Sequence, residues 1–136
     1  MKNDRLQRAG ADEILLNALE SMPDGFCTID TNWNFTYINT SLAKIIGENP
    51  GDLIGKNLWT SFPEAVNSKF YDSYHDALEK QKSVTVEDFY APLNVWLEVN
   101  VHPMTQGLSL FVKDVSERKK QEQRLRFISK AASEVI

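Results

Sequence analysis

The sequence predicts an α+β domain, one five-stranded antiparallel sheet with short helices on one face and a further helix at each end of the chain. Three observations carry that expectation. Short runs of β-branched and aromatic residues fall into two groups, one before Asn39 and one after Lys82. Helix starts and stops crowd the stretch between them, at Asn39, Gly47, Asn49-Pro50, Gly55 and Pro63. Both termini carry apolar residues at three- and four-residue steps. Helices clustered between two blocks of strands favour a single antiparallel sheet with helices on one face.

Residues 3–22 read as a helix, with Leu6, Ala11, Ile14, Leu15, Ala18, Leu19 and Met22 on its apolar face, and Pro23-Asp24-Gly25 stops it. Phe26–Ile29 and Phe35–Ile38 are strands joined by the polar turn Asp30–Trp33, a hairpin. Asn39 caps a short helix running through Ile46, which Gly47 ends. Asn49 caps a second, with Pro50 at its first position and Gly55 at its end. Pro63 is expected to open a longer helix reaching about Lys80, with Phe70, Tyr74 and Leu78 on one face.

Three strands follow, Ser83–Tyr90, Val95–Val101 and Leu108–Val115, separated by Pro92-Leu93-Asn94 and by Pro103–Gly107. Leu97, Val99 and Val101 alternate with Trp96, Glu98, Asn100 and His102, the period of a strand with one face covered. From Ser116 a charged helix runs to the end, with Leu125, Ile128, Ala132 and Val135 spaced three, four and three. The far face of the sheet needs a cover, and the terminal helices are available for it.

Composition excludes several functions. A net charge of -4 offers nucleic acid no electrostatic footprint, and the basic run Arg118-Lys119-Lys120 is interleaved with acids. No stretch approaches the ~18–20 consecutive apolar residues of a membrane span. The start, Met1-Lys2-Asn3-Asp4-Arg5, lacks the apolar core of a signal peptide. A single cysteine, Cys27, forms no internal disulfide and agrees with a reducing compartment, so a cytoplasmic location is expected, with no direct membrane contact. The parent protein remains free to be membrane-anchored elsewhere. An enzyme is not expected: His75 and His102 lack metal-ligand spacing, Cys27 has no base beside it, and no phosphate-binding glycine loop occurs.

Several segments, in order, are similar to those of one family. They are Pro23-Asp24-Gly25-Phe26; Asp30-x-Asn32-Trp33-x-Phe35-x-Tyr37-x-Asn39; Gly47; Gly55-Lys56-Asn57-Leu58-Trp59; Pro63; Trp96-Leu97-Glu98-Val99 through Pro103; and Leu108–Val112 running into Asp114-Val115-Ser116-Glu117-Arg118-Lys119. Over about residues 20–120 the chain resembles the PAS family. The resemblance implies a five-stranded antiparallel sheet holding a pocket beneath helices, as a sensory module of a larger protein such as a histidine kinase. It divides the chain into an N-terminal linker or dimerisation helix (1–22), a sensory domain (23–115) and a C-terminal signalling helix (116–136).

Cofactors of PAS relatives can be set against the residues. A flavin photosensor carries a cysteine in an Asn-Cys-Arg-like motif early in the helical segment, and Cys27 lies in a strand before it. A haem sensor offers a histidine on the inward face of the long helix, where Phe70 stands here. His75 follows Tyr74 by one residue and is expected to face about 100° away, as a solvent-facing or capping side chain. Neither haem nor flavin is therefore expected, which leaves an unidentified small organic ligand as the candidate.

Phe26, Phe62, Phe70, Tyr74, Phe89 and Leu97 are the candidate pocket residues, with plain core packing as the alternative for each. Asn39 is assigned a structural cap. At the end of the last strand, Ser116 is expected to cap the helix and Asp114 to pair with Arg118, a junction for signal coupling. A homodimer through the terminal helices and an output domain downstream in the same chain are the expected partners. The other functional readings are an interaction domain with a filled core and, further off, a small α+β enzyme. The last helix stops mid-heptad at Ile136, from which a longer parent protein is expected.

Overall fold

Period-two alternation decides which way each strand faces, and the sheet assembles around it. In a computed structural model describing residues 2–135, the chain runs α1 (Lys2–Ser21), β1 (Gly25–Ile29), β2 (Phe35–Ile38), α2 (Thr40–Ile46), α3 (Pro50–Leu53) and α4 (Leu58–Ser61). A 3-10 segment (Pro63–Asn67) leads into α5 (Lys69–Lys80), and β3 (Val84–Tyr90), β4 (Val95–Met104), β5 (Gly107–Asp114) and α6 (Ser116–Val135) follow. The five strands form one antiparallel sheet in the order β2-β1-β5-β4-β3. On β4 the expected register holds: Leu97, Val99 and Val101 are buried on the inner face, under α5 and its neighbours.

Three local expectations need correction. The helix expected from Pro63 to Lys80 is broken at Ser68, whose backbone is extended (φ -109°, ψ 171°). Its hydroxyl donates to the Ala65 carbonyl (2.6 Å) and accepts from the Phe70 amide (3.2 Å), so serine competes for the helix backbone and caps α5 anew. A further short helix, α4, starts where Asn57 Oδ1 accepts from the Trp59 and Thr60 amides. Finally, β4 runs on through Pro103, opposite Leu108, because β3 has already ended: Val84 pairs with Val101, and the missing proline N–H faces no third strand. The chain reverses in the two residues between Met104 and Gly107. There Gly107, at φ +138°, lies so close to Ile29 that a Cβ would sit 1.9 Å from its carbonyl oxygen.

Asn39 does more than cap. It is fully buried, and its Oδ1 accepts from the Leu42 amide of α2 and the Phe26 amide of β1, both at 2.9 Å. Its Nδ2 donates to the carbonyls of Leu19 in α1 (2.8 Å) and Asp24 (3.1 Å). One amide thereby fixes where three elements meet, with all of its capacity used.

The terminal helices do not cover the far face of the sheet. Ile14, Leu15 and Leu16 on α1, and Leu125, Phe127 and Ile128 on α6, are exposed, the last three by 66%, 73% and 55%. Only the start of α6 rests on the strands, where Lys119 lies over the Trp96 ring. Of the spaced apolar residues named for these helices, the side chains of Leu6 and Val135 lie outside the described residues.

Leu97→Asp is expected to leave no cooperative thermal transition at room temperature. The change removes a core contact worth ~2–5 kcal/mol and buries an unpaired carboxylate, against a total stability of about 5–15 kcal/mol. A melting temperature matching the wild type would reverse the assignment of the two faces.

Candidate functional site

Between the inner face of the sheet and the helices above it lies a cavity of about 80 Å³. Its floor is built by Cys27, Leu97 and Val99, and its roof by Phe70 and Tyr74 of α5 with Trp59 and Phe62 at one side. Apolar walls of this kind, with few polar groups, are the usual make-up of a small-molecule site. Of the expected pocket residues, Phe62, Phe70, Tyr74 and Leu97 stand on the wall. Phe26 and Phe89 do not. Strand pleating turns both outward: Phe26 packs on Phe111 (centroids 4.9 Å apart) and Phe89 on Trp96 (5.6 Å), with their sequence neighbours Cys27 and Tyr90 facing in. Aromatic size, used to choose Phe26 and Phe89, overrode the alternation; counting in steps of two from Ile29 leads to Cys27.

The polar groups of the wall are few. Burial pushes the Cys27 thiol well up, so it stays protonated and inert at neutral pH. Tyr74 is raised well above the ordinary tyrosine value, by burial first and then by Cys27, and its hydroxyl has no hydrogen-bond partner among the described residues. Tyr90 is pushed up to about 12, mainly by burial and then by Glu64, to which its hydroxyl donates (3.3 Å). Trp59 Nε1 is buried without a partner among the described residues.

Beside the cavity, Trp59 joins a cluster of aromatic rings. His75 stacks on Trp33 (4.3 Å, 30°) and on Tyr71 (4.0 Å), with Nδ1 2.8 Å from the Tyr71 carbonyl oxygen. The expectation of a solvent-facing or capping His75 is corrected here: the ring is half-buried, because the hairpin turn swings Trp33 against it, and its Nδ1 meets a carbonyl within α5 and not at a helix end. It is absent from the cavity wall, as its offset from Tyr74 implies.

The outer face carries the junction with α6. The Val115 amide donates to the Trp96 carbonyl (2.8 Å), and the Trp96 amide donates to Ser116 Oγ (3.0 Å). Ser116 thus binds the sheet and does not cap its own helix; Asp114 does that, accepting from the Ser116 amide (2.9 Å). Nor does Asp114 pair with Arg118. Glu87 and Glu98 stand directly opposite each other on β3 and β4, a like-charge pair that destabilises a sheet unless compensated. That field draws Arg118 to both carboxylates, and to Glu122 (3.6 Å), and draws Lys119 Nζ to Glu87 while it lies 4.8 Å from the Trp96 ring centre. The Lys119 hydrogen bond, with the charges of Lys119 and Arg118, holds the Glu87 carboxyl below its ordinary value.

Among the described residues no cluster of three or more His, Cys, Asp or Glu side chains is placed to hold a metal ion. No described helix is long and apolar enough to cross a membrane.

A family model described as the PAS fold matches residues 19–120. The chain belongs to the PAS fold family. No curated protein matches it. Among solved structures, an RNA-binding light-oxygen-voltage receptor superposes with a TM-score of 0.74 at 17% identity, over 93% of this chain and 39% of the receptor. The present chain therefore spans well under half of that receptor's length. A sensory box sensor histidine kinase from Vibrio cholerae gives 0.60 at 17% identity, over 82% of this chain and 98% of that one. VqmA bound to DPO gives 0.61 at 23% identity, over 76% and 57%. At these identities the likeness is one of fold, and the PAS sheet with its helical roof is what all of them share.

In this PAS domain the outer-face ion pairs are expected to release α6 in acid. Glu87 has a folded-state pKa below its unfolded value, so its contacts stabilise docking fully above the normal carboxylate range and lose that effect as pH falls through the lowered value. Trp96 emission, which reports Lys119 over the ring, is expected to shift between about pH 5 and pH 3. In Glu87→Gln the shift is expected to be smaller; an identical acid transition in the variant would remove Glu87 from the junction.

Proposed function

We propose that this PAS domain is a non-catalytic sensory module of a larger signalling protein, taking a small, largely apolar ligand in the cavity and passing its state to α6. The observation that carries this reading is the placement of three consecutive residues. Leu97 forms cavity floor, while the Trp96 backbone and the Glu98 carboxylate, on the opposite face, hold the start of α6. A ligand that moves Leu97 acts on the anchor of α6 through one peptide bond. The resemblance to a sensor histidine kinase and to VqmA, a protein described as bound to DPO, supports a sensory role and a ligand. RNA binding, named for the light-oxygen-voltage receptor, is not carried over: a net charge of -4 gives a polyanion little to hold.

The output end of this reading is a homodimer through the terminal helices, with an output domain following α6. Leu125 and Ile128, three residues apart and both exposed, with Ala132 four further on, make a narrow seam of coiled-coil type. A seam this short is marginal alone in water, and Ile14, Leu15 and Leu16 of α1 supply further exposed apolar surface. The site residues in this scheme are Phe62, Phe70, Tyr74 and Leu97 for the ligand, and Asp114, Ser116 and Arg118 for coupling.

Light scattering tests the dimer. The intact chain is expected to be dimeric at high micromolar concentration, and a version ending at Lys120 to be mainly monomeric. A monomeric intact chain would remove the dimer from the scheme, and equal association of both versions would move the interface to α1 or the sheet.

A further inference from the structure

Resting on the sensory reading above, we propose that the cavity selects a neutral, monocyclic molecule with a hydrogen-bond acceptor, which the Tyr74 hydroxyl engages.

Size sets the first limit. A cavity of about 80 Å³ is several times the ~10–15 Å³ that admits one water and about half the ~150 Å³ of an apolar cavity that takes benzene, so a single ring of about six heavy atoms is the upper limit. A flavin or a haem is far larger. Water is a poor occupant, since it needs two to four polar partners and these walls offer little beyond Tyr74.

Charge sets the second. Among the described residues no Asp, Glu, Lys, Arg or His lines the wall, and Glu64 is engaged by the hydroxyl of the wall residue Tyr90. A carboxylate or ammonium entering the cavity would lose its hydration without a counter-charge, at a cost that no apolar contact offsets.

Polarity sets the third. Tyr74 is only 6% exposed, stands on the wall, and its hydroxyl has no partner among the described residues. A buried hydroxyl left unpaired is costly, so a ligand atom that accepts its proton is rewarded more than the bare hydrogen bond is worth in water. The adjoining ring, Trp59, with its centroid 5.7 Å from that of Tyr74, carries the other unpaired group, Nε1–H, which can only donate. Unpaired donors favour an acceptor, such as a ring nitrogen or a carbonyl oxygen. Cys27, the remaining polar side chain of the floor, is a weak partner and does not alter that preference.

Benzene and pyridine are nearly equal in shape and differ by one acceptor, and benzoate adds a charge, so titrations of the intact protein followed by NMR separate these features. Pyridine, at a pH where it is neutral, is expected to bind about tenfold more tightly than benzene. In Tyr74→Phe that ratio is expected to fall severalfold through weaker pyridine binding, and benzoate is expected not to bind the wild type. Equal binding of benzene and pyridine to the wild type would sink the acceptor requirement, yet leave the cavity a ligand site. A pyridine preference undiminished in a folded Tyr74→Phe would overturn the role given to the Tyr74 hydroxyl. Binding of neither ring, or binding unaffected by Phe70→Trp, would remove the cavity reading itself.

Discussion

The Trp96 backbone is held at the root of α6 through both of its polar groups: its carbonyl accepts the Val115 amide and its amide donates to Ser116 Oγ. Because a strand turns successive side chains to opposite faces, that anchor on the outer side obliges Leu97 to face the interior and Glu98 to face out again. The cavity floor and the root of the exit helix are therefore built from adjacent residues of β4. On the sensory reading proposed above, a displacement of the floor reaches that root through the single planar peptide that joins Trp96 to Leu97. The rest of the molecule fixes β4 in place.

What fixes it is a division of labour between the two faces. Inside, apolar residues from β1, β4, β5 and α5 close around the cavity. Outside, β3 and β4 pair polar residues in rungs, with Thr85 donating to Asn100 and Glu87 opposed to Glu98. The last rung is unfavourable taken alone. Its compensation comes from Arg118 and Lys119, so α6 is bound to the sheet by charges that salt and acid weaken, and by two backbone contacts that they do not. At the other end, Asn39 ties the last turn of α1 to β1 and α2 with its single amide group. Both exit helices thus leave the domain from defined anchors while their apolar residues stay exposed.

Much of the fold was legible because its signals are local. The helix boundaries at Asn39, Gly47 and Asn49-Pro50 are set by contacts within a few residues of each, and the alternation along β4 needs no partner to be seen. Errors arose where a residue's role is set across the chain. Ser68 looked like one more helical position, yet its hydroxyl splits the segment. Ser116 looked like a cap until β4 supplied the Trp96 amide, and Arg118 went to Glu87 and Glu98, 31 and 20 residues away in sequence. Half-legible was the cavity: the helix side, Phe70 and Tyr74, followed from four-residue spacing, whereas Phe26 and Phe89 were chosen for size against the strand period. Trp59 was missed with α4, although Asn57 before it carries the cap signal.

Coupling through β4 is tested most directly by amide hydrogen exchange in the presence and absence of a filled cavity, with Phe70→Trp as the filler. The Trp96 and Val115 amides, and the Lys119 amide that donates to the Val115 carbonyl at the start of α6, are expected to change protection together. Amides of the second half of α1, which contributes no residue to the cavity wall, are expected to stay as they were. Unchanged exchange at Trp96 and Val115, in a variant whose cavity is shown to be filled, would contradict a signal that passes from the cavity to α6 through the sheet.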